Sequence, residues 1–297
     1  MFFKFRMLGF KNIFKSSGEI SLKVKDLLIN SNYLEKKIKV GFHPMRYAGR
    51  GENFWQYKEY NKGDILSSID WRKSASSNRI LVREKEKETS KTIYIFFDTS
   101  KSMLYQNNDK SHNKLYKSAL IAFTVSRLLL NKKEDVFLFD GTNNPVKCLP
   151  DLTNIKQDLF EKSNLGEFPA KEIIKPKSHI FIISDFLYNT EKIYNYCRDL
   201  KSKEVLGSLI QVLDRREIDF AFDKDLEVLD LETDEVLVIN NIEKFRNNYI
   251  TKFKEFKFQI NNYCNNYNWN YFEHISDMET DKFLINLCKI FFNKIHC

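Results

Sequence analysis

The apolar positions of the chain follow two periods, and their order along the sequence predicts the fold class. Runs in which nearly every residue is apolar, β-branched or aromatic alternate with longer segments whose apolar positions recur at helical spacing. Runs without polar alternation are typical of strands buried on both faces, and parallel strands need crossover connections. The pattern therefore predicts a doubly wound α/β domain with a mostly parallel sheet. The predicted strands are 92–97, 136–139, 146–149, 179–183 and 206–213, and the predicted helices are about 113–131, 154–163 and 190–203.

The last third of the chain continues this order after a less regular segment. Two short apolar runs flank Glu232-Thr233-Asp234 and predict a hairpin. The other predicted elements are a helix at about 241–266, a short strand near 269–272 and a helix at about 279–294.

The first 90 residues follow different patterns. Phe3, Met7, Phe10 and Phe14 recur at helical spacing among basic residues, and a second helical pattern covers about 19–38. Four of the nine glycines lie within 41–75, which favours turns and short strands before a strand at 79–87. We predict three regions, namely a basic helical extension (1–38), a β-rich block (39–90) and the α/β domain (91–297), with a hairpin insertion near 225–240.

The net charge of +8 is confined to the start of the chain. Residues 1–50 hold eleven Lys or Arg against three Asp or Glu, and the rest of the chain is neutral. A nucleic-acid-binding domain would carry a basic stripe on its folded body, so no nucleic-acid partner is expected. The basic segment is interpreted as a solvated Lys-rich helix. The alternative is peripheral contact with an anionic membrane surface through residues 1–25.

The cysteines and the apolar runs bear on the compartment. Five cysteines show no CxxC spacing and their number is odd, which favours reduced thiols. No run approaches the ~18 apolar residues of a membrane span, and the charged N-terminus lacks a signal-peptide core. We expect a cytoplasmic protein.

Two carboxylates follow predicted strands at the point where each strand ends. Asp98 comes directly after the strand ending at Phe97, and Asp185 follows the strand 179–183 after one serine. Ligands of open α/β sheets bind at the carboxyl ends of the strands. Ser100 and Ser102 stand at i+2 and i+4 from Asp98, a spacing that can direct three oxygen side chains to one point.

Oxygen ligands of this kind suit a hard divalent cation. We predict a site for Mg²⁺ (or Mn²⁺ or Ca²⁺), in which neutral hydroxyls leave the ion able to accept a carboxylate from a protein partner. The competing interpretation is a polar cap at the start of a loop for Asp98, Ser100 and Ser102, and a helix N-cap for Asp185.

The sequence shows no catalytic constellation, so the protein is predicted not to be an enzyme. An aspartyl-nucleophile phosphatase would need a second Asp at i+2 from Asp98, where the chain has Ser100. No GxxxxGK[ST] motif occurs, and the five histidines show no metal-ligand spacing. A metal-dependent hydrolase that uses the same Asp/Ser residues is the alternative.

The DxSxS motif after the first strand of a doubly wound domain resembles the von Willebrand factor A family. This resemblance implies a metal-ion-dependent adhesion site formed by Asp98, Ser100, Ser102 and Asp185, completed by a loop threonine. Thr153 is the best candidate for that threonine, because Thr142 lies in a tight turn at the other edge.

An ordered series of motifs precedes DxSxS and resembles the bacterial family called domain of unknown function 58. The series is Arg50-Gly51-Glu52, Tyr57-Lys58-Glu59-Tyr60, Lys62-Gly63-Asp64, Ile69-Asp70-Trp71 and Val82-Arg83-Glu84. Within it, Gly63, Asp64, Asp70 and Trp71 are interpreted as structural, with Asp70 fixing a turn and Trp71 packed inside. The resemblance implies a partner of the MoxR-type AAA+ ATPase class and an unknown client protein, in chaperone-like assembly.

Overall fold

The computed structural model describes most of the chain. The described residues are 5–6, 17–41, 54–64, 66–85, 90–104, 113–139, 144–149, 152, 168–220, 226–230, 236–239 and 242–295. They fall into two compact units, one formed by Met1–Gly41 with Lys91–Cys297 and the other by Phe42–Ser90.

The large unit is built on a six-stranded sheet whose order confirms the predicted α/β fold. Its strands, in spatial order, are β11 (Asn270–Ile275), β8 (Leu206–Leu213), β7 (His179–Ser184), β4 (Thr92–Phe97), β5 (Asp135–Phe139) and β6 (Pro145–Lys147). All neighbours pair in parallel except β6, which runs antiparallel to β5. The carboxyl ends of β4, β7 and β8 therefore lie side by side at one edge.

Helices cover both faces of this sheet. On one face, Tyr94 and Phe96 of β4 belong to a core shared with α4 (Thr190–Lys201) and α6 (Ile242–Asn266). On the other face, Phe97 makes an edge contact with Phe123 of α3 (Lys114–Asn131), with ring centroids 6.2 Å apart. Phe291 of α7 (Thr280–Ile295) packs on the same face against Phe181 of β7, at 4.7 Å. Burial on both faces explains why these strands lack polar alternation.

Helix α1 (Ser17–Gly41) belongs to the large unit, in which it packs against α3 and α7. Polar bonds fix its register on α3. The amide of Asn30 donates to the Tyr116 hydroxyl at 2.7 Å, and that hydroxyl donates to Asp26 at 2.8 Å. Asn131 donates to Glu35 at 2.7 Å. The second helical pattern of the sequence thus forms a helix that covers α3.

A three-stranded antiparallel sheet corrects the helix predicted at the very start of the chain. Its order is β1 (Phe5–Arg6), β9 (Leu226–Asp230) and β10 (Val236–Ile239). The last two strands form the predicted hairpin, and Phe5 pairs with Asp230. The helix prediction is therefore wrong at β1, because an existing strand edge supplies backbone partners that a short isolated helix lacks. The remainder of 1–16 lies outside the described residues.

The small unit contains the antiparallel pair β2 (Phe54–Glu59) and β3 (Leu81–Lys85) and a short helix, α2 (Trp71–Ala75). Asp70 caps this helix, since it accepts the Lys73 backbone N–H at 3.1 Å and the Tyr57 hydroxyl at 2.8 Å. Asp70 thus lies at the turn that begins this helix. The predicted burial of Trp71 is wrong, because the first turn of α2 leaves this side chain 65% exposed.

The turn before this helix depends on Gly63 and Asp64. Gly63 has φ of +119°, which favours glycine. The Asp64 carboxylate accepts the Asn61 backbone N–H and the Lys58 ammonium, each at 2.8 Å. These bonds lower the pKa of Asp64, the Lys58 bond most of all.

Close packing on β8 gives a first test of the fold. A Cβ atom on Gly207 would lie 2.1 Å from the indole ring of Trp269, which is 2% exposed and donates to the Val205 carbonyl at 3.1 Å. We expect Gly207→Ala to lower the free energy of unfolding by about 1–3 kcal/mol or more, because the indole has to move. Urea denaturation followed by circular dichroism measures this, with Leu206→Ala, at the 42% exposed neighbour, as the control. A Gly207→Ala protein as stable as the control variant would contradict the packing.

Candidate functional site

Asp98 lies at the carboxyl edge of the sheet with its orientation fixed from several sides. Its backbone N–H donates to the carbonyl of Ile183 at 2.8 Å, which extends the pairing of β4 with β7. Oδ1 accepts the Ser100 backbone N–H at 2.7 Å, and Oδ2 accepts the Ser184 hydroxyl at 2.8 Å. The residue is 2% exposed. The first residue of DxSxS is therefore a buried carboxylate held by neutral donors.

Ser100 and Ser102 present a pair of hydroxyl oxygens beside this carboxylate. A 3₁₀ turn at Lys101–Leu104 follows Ser100, and its Met103 N–H donates to the Ser100 carbonyl at 3.1 Å. The turn brings the two Oγ atoms to 3.0 Å from each other, at which distance one hydroxyl donates a hydrogen bond to the other. Adjacent ligands of an octahedral Mg²⁺ ion, at about 2.0–2.1 Å from the metal, lie about 2.9 Å apart. The hydroxyl pair therefore has the spacing of two neighbouring magnesium ligands.

The electrostatic environment of Asp98 favours a nearby cation. Burial raises the pKa of the Asp98 carboxyl, and the neighbouring Asp185 carboxylate raises it further. Both effects penalise the charged form, and a divalent ion would relieve both. The donor set thus fits a hard cation in charge as well as in spacing.

Asp185 lies at the neighbouring strand end, as predicted, but its two oxygens have other partners. The residue is fully buried. Oδ1 accepts the Leu187 N–H at 3.2 Å, Oδ2 accepts the Lys114 ammonium at 2.9 Å, and the backbone carbonyl accepts Gln211 at 2.7 Å. The cap of α4 is Asn189, so Asp185 does not serve as that helix N-cap.

Lys114 is one of two residues of this region that the sequence did not reveal. It occupies the first position of α3, and its side chain is fully buried. Its ammonium also donates to Glu217 Oε1 at 2.6 Å. Burial by itself would lower the pKa of Lys114, but the attraction of Asp185 and Glu217 outweighs it, so the pKa is raised. These two ion pairs therefore favour the charged form of the ammonium beneath the strand ends.

Glu217 reaches this position through a short helix that was also missed. Helix α5 (Arg215–Asp219) begins with a capping box, in which Asp214 accepts the Arg216 N–H at 3.0 Å and Glu217 Oε2 accepts the Asp214 N–H at 2.9 Å. Burial raises the pKa of Glu217, and the Lys114 ammonium opposes that rise. The spacing Asp214-x-x-Glu217 was the available signal, since an acid followed three residues later by Glu is typical of this cap.

The threonine of the predicted shell cannot be placed here, because Thr153 and Thr142 both lie outside the described residues. Within the described ranges, no group of three or more His, Cys, Asp or Glu side chains is arranged to hold a metal ion. A metal at this edge would thus depend on the serine hydroxyls.

Among the residues that the structure describes, no helix is both long and apolar enough to cross a bilayer.

Comparison with known proteins covers part of the chain. Residues 56–151 match the family model described as protein of unknown function DUF58. The matched segment, less than half of the chain, contains both Asp70 and the DxSxS motif. No curated protein matches the chain. The family description assigns no activity, so the function has to be argued from the site.

Two solved structures are similar to the chain at 15% identity. They are a conserved hypothetical protein BatB from Bacteroides thetaiotaomicron and an aerotolerance-related membrane protein from Bacteroides fragilis with multiple mutations to serines. Each similarity covers 69% of this chain and 100% of the other chain, with TM-scores of 0.37 and 0.38, respectively.

Proposed function

We propose that the protein is a non-enzymatic interaction module that binds a carboxylate of a partner protein through a divalent cation. The ion, Mg²⁺ or a similar hard cation, is held by Asp98, Ser100 and Ser102. The observation that carries the proposal is the 3.0 Å spacing of the two serine hydroxyls beside a buried carboxylate at the carboxyl edge of the sheet. Hydroxyl ligands add no negative charge, so the bound ion retains the charge that attracts an outside carboxylate.

The partner that we propose is a MoxR-type AAA+ ATPase, which acts with this protein on a client in chaperone-like assembly. One observation supports this proposal. The DUF58 match extends over both the block around Asp70 and the DxSxS motif, and the resemblance of those motifs implies such a partner. We further propose that the module works in the cytoplasm, where an ATPase of this class has access to ATP.

Metal titration tests the first part of this proposal. We expect Mg²⁺ or Mn²⁺ to bind the wild-type protein in isothermal titration calorimetry, and Asp98→Asn to weaken binding by more than about 100-fold, since loss of an outer-shell group alone costs roughly 10–100-fold. Asp214→Asn is the matched control, because Asp214 follows β8 at the same edge and Asn caps helices as well as Asp. Equal metal binding by wild type and Asp98→Asn would exclude the site.

A capture experiment tests the partner. A purified MoxR-type AAA+ ATPase should be retained by the immobilised wild-type protein and by Asp214→Asn, and lost with Asp98→Asn. Retention by Asp98→Asn at the wild-type level would show that the partner contacts another surface, whatever the metal does.

A further inference from the structure

Two buried carboxylates share one ammonium beneath the edge of the sheet, and Asp98 lies close to one of them, Asp185. Asp98, Asp185 and Glu217 are each at most 2% exposed, and the Lys114 side chain is fully buried against Asp185 and Glu217. The ammonium lies 2.9 Å from Asp185 and 2.6 Å from Glu217. Buried charges are costly unless they are paired, so Lys114, Asp185 and Glu217 form a fixed ion-pair group.

The two carboxylates at the strand ends differ in the donors that hold them. Asp98 accepts the Ser100 N–H and the Ser184 hydroxyl, both neutral groups. Asp185 accepts a hydrogen bond from the charged Lys114 ammonium on one oxygen and from the Leu187 N–H on the other. An ion near the serine hydroxyls therefore meets one carboxylate that still needs a counter-charge and one that already has it.

We propose that Lys114 is the built-in cation of this site, whose ion pair with Asp185 keeps that carboxylate out of the metal shell. This inference rests on the proposed function and changes its ligand set. Asp98 is then the one carboxylate among the described residues that binds the ion, and Asp185 is a positioning residue. A divalent ion with a single carboxylate ligand keeps a net positive charge, and a carboxylate from an acidic partner segment completes its shell.

A matched pair of variants tests this assignment. Asp185→Asn and Glu217→Gln each remove one negative charge from the same ammonium, and each leaves Lys114 one carboxylate partner. If Asp185 stands outside the shell, both variants should change the dissociation constant for Mn²⁺ by similar factors, within about threefold of each other, whereas Asp98→Asn should lose more than about 100-fold. Mn²⁺ is titrated by electron paramagnetic resonance, with circular dichroism to confirm folding. A loss in Asp185→Asn comparable to that in Asp98→Asn overturns the inference and leaves the proposed function standing.

The variant Lys114→Met/Glu217→Gln approaches the same question from the other side. It removes one charge of each sign, so the net charge of the cluster is unchanged and Asp185 is released. Mn²⁺ should then bind about tenfold tighter or more, because carboxylate count sets affinity. Acetate should bind more weakly to the Mn²⁺-loaded variant. The relaxation rate of water protons measures this binding. Unchanged affinities for both ligands overturn the inference. If this variant does not fold, the Asp185→Asn and Glu217→Gln comparison decides alone.

The wild-type titration separates the two proposals. A wild-type protein that binds no Mn²⁺ overturns the proposed function. The inference about Lys114 then falls with it unless Lys114→Met/Glu217→Gln binds Mn²⁺, which would show that the ammonium excludes the ion.

Discussion

Replacing Lys114 by Met is expected to lower the free energy of unfolding by about 3–5 kcal/mol, the cost of removing one partner from a buried ion pair. The substitution nearly preserves side-chain length and apolar stem. What it removes is the ammonium that donates to Asp185 and Glu217 at 2.9 and 2.6 Å. Two buried carboxylates are left facing each other without a counter-charge, and neither has access to water.

The measurement is urea denaturation at neutral pH, and the control is Lys117→Met in the same helix. Lys117 is only partly buried and donates to the Thr280 hydroxyl at 3.2 Å, so its replacement should cost less than about 1 kcal/mol. Adding Glu217→Gln to Lys114→Met should recover part of the loss, because one unpaired charge disappears. A Lys114→Met protein within about 1 kcal/mol of wild type would contradict the buried triad.

The sheet could be predicted from the sequence because strands buried on both faces are apolar at nearly every position. Strand β4 is apolar at nearly every position and is observed at the predicted bounds, Thr92–Phe97. The short elements have no such apolar pattern. Helix α5 spans five residues and has no apolar period to detect, although its capping box was present in the sequence. At β1 the partner strand lies more than 200 residues away, so local spacing suggested a helix instead.

The candidate site, too, contains residues that the sequence could predict and residues that it could not. Asp98 and Asp185 could be placed together because parallel strands end at one edge, a rule that needs only the strand ends. Lys114 could not be found, because its partners lie 71 and 103 residues away and a lysine at a helix start reads as a solvated charge. The same distance in sequence hid the ion pair between Asp185 and Lys114. The pattern predicted a shell with two carboxylates, and our proposal that Asp185 stands outside it rests on this ion pair, which only the structure shows.

Lowering the pH from 7.5 to 5.0 is expected to remove about 4 kcal/mol of stability through two buried histidines. His179 lies between the rings of Phe181 and Phe291, at 4.8 and 4.7 Å, and burial lowers its pKa to about 3. His274 is 2% exposed, and burial lowers its pKa to about 4. Both rings are therefore neutral in the folded protein across this range.

The direction of the effect follows from where the protons bind. A histidine in the unfolded chain has a pKa near 6.5. Below that pH the unfolded chain binds protons that the buried histidines of the folded chain do not bind. The free energy of unfolding therefore falls as the pH falls toward the folded pKa. At pH 5.0 each histidine has lost about 2 kcal/mol of its contribution, which is fully present above pH 6.5. The raised pKa values of Asp98 and Glu217 act in the opposite direction, so the histidine share has to be measured as a difference.

His179→Asn isolates that share. The carboxylates titrate in the variant as in the wild type, and their contribution cancels when the two pH profiles are subtracted. We expect the stability lost between pH 7.5 and 5.0 to be about 2 kcal/mol smaller in His179→Asn, whatever packing energy the substitution costs at pH 7.5. His274→Asn should behave alike. Parallel pH profiles for wild type and both variants would show that the rings take up protons in the folded state, which the 3.1 Å contact of His179 with Ser208 and its aromatic surroundings argue against.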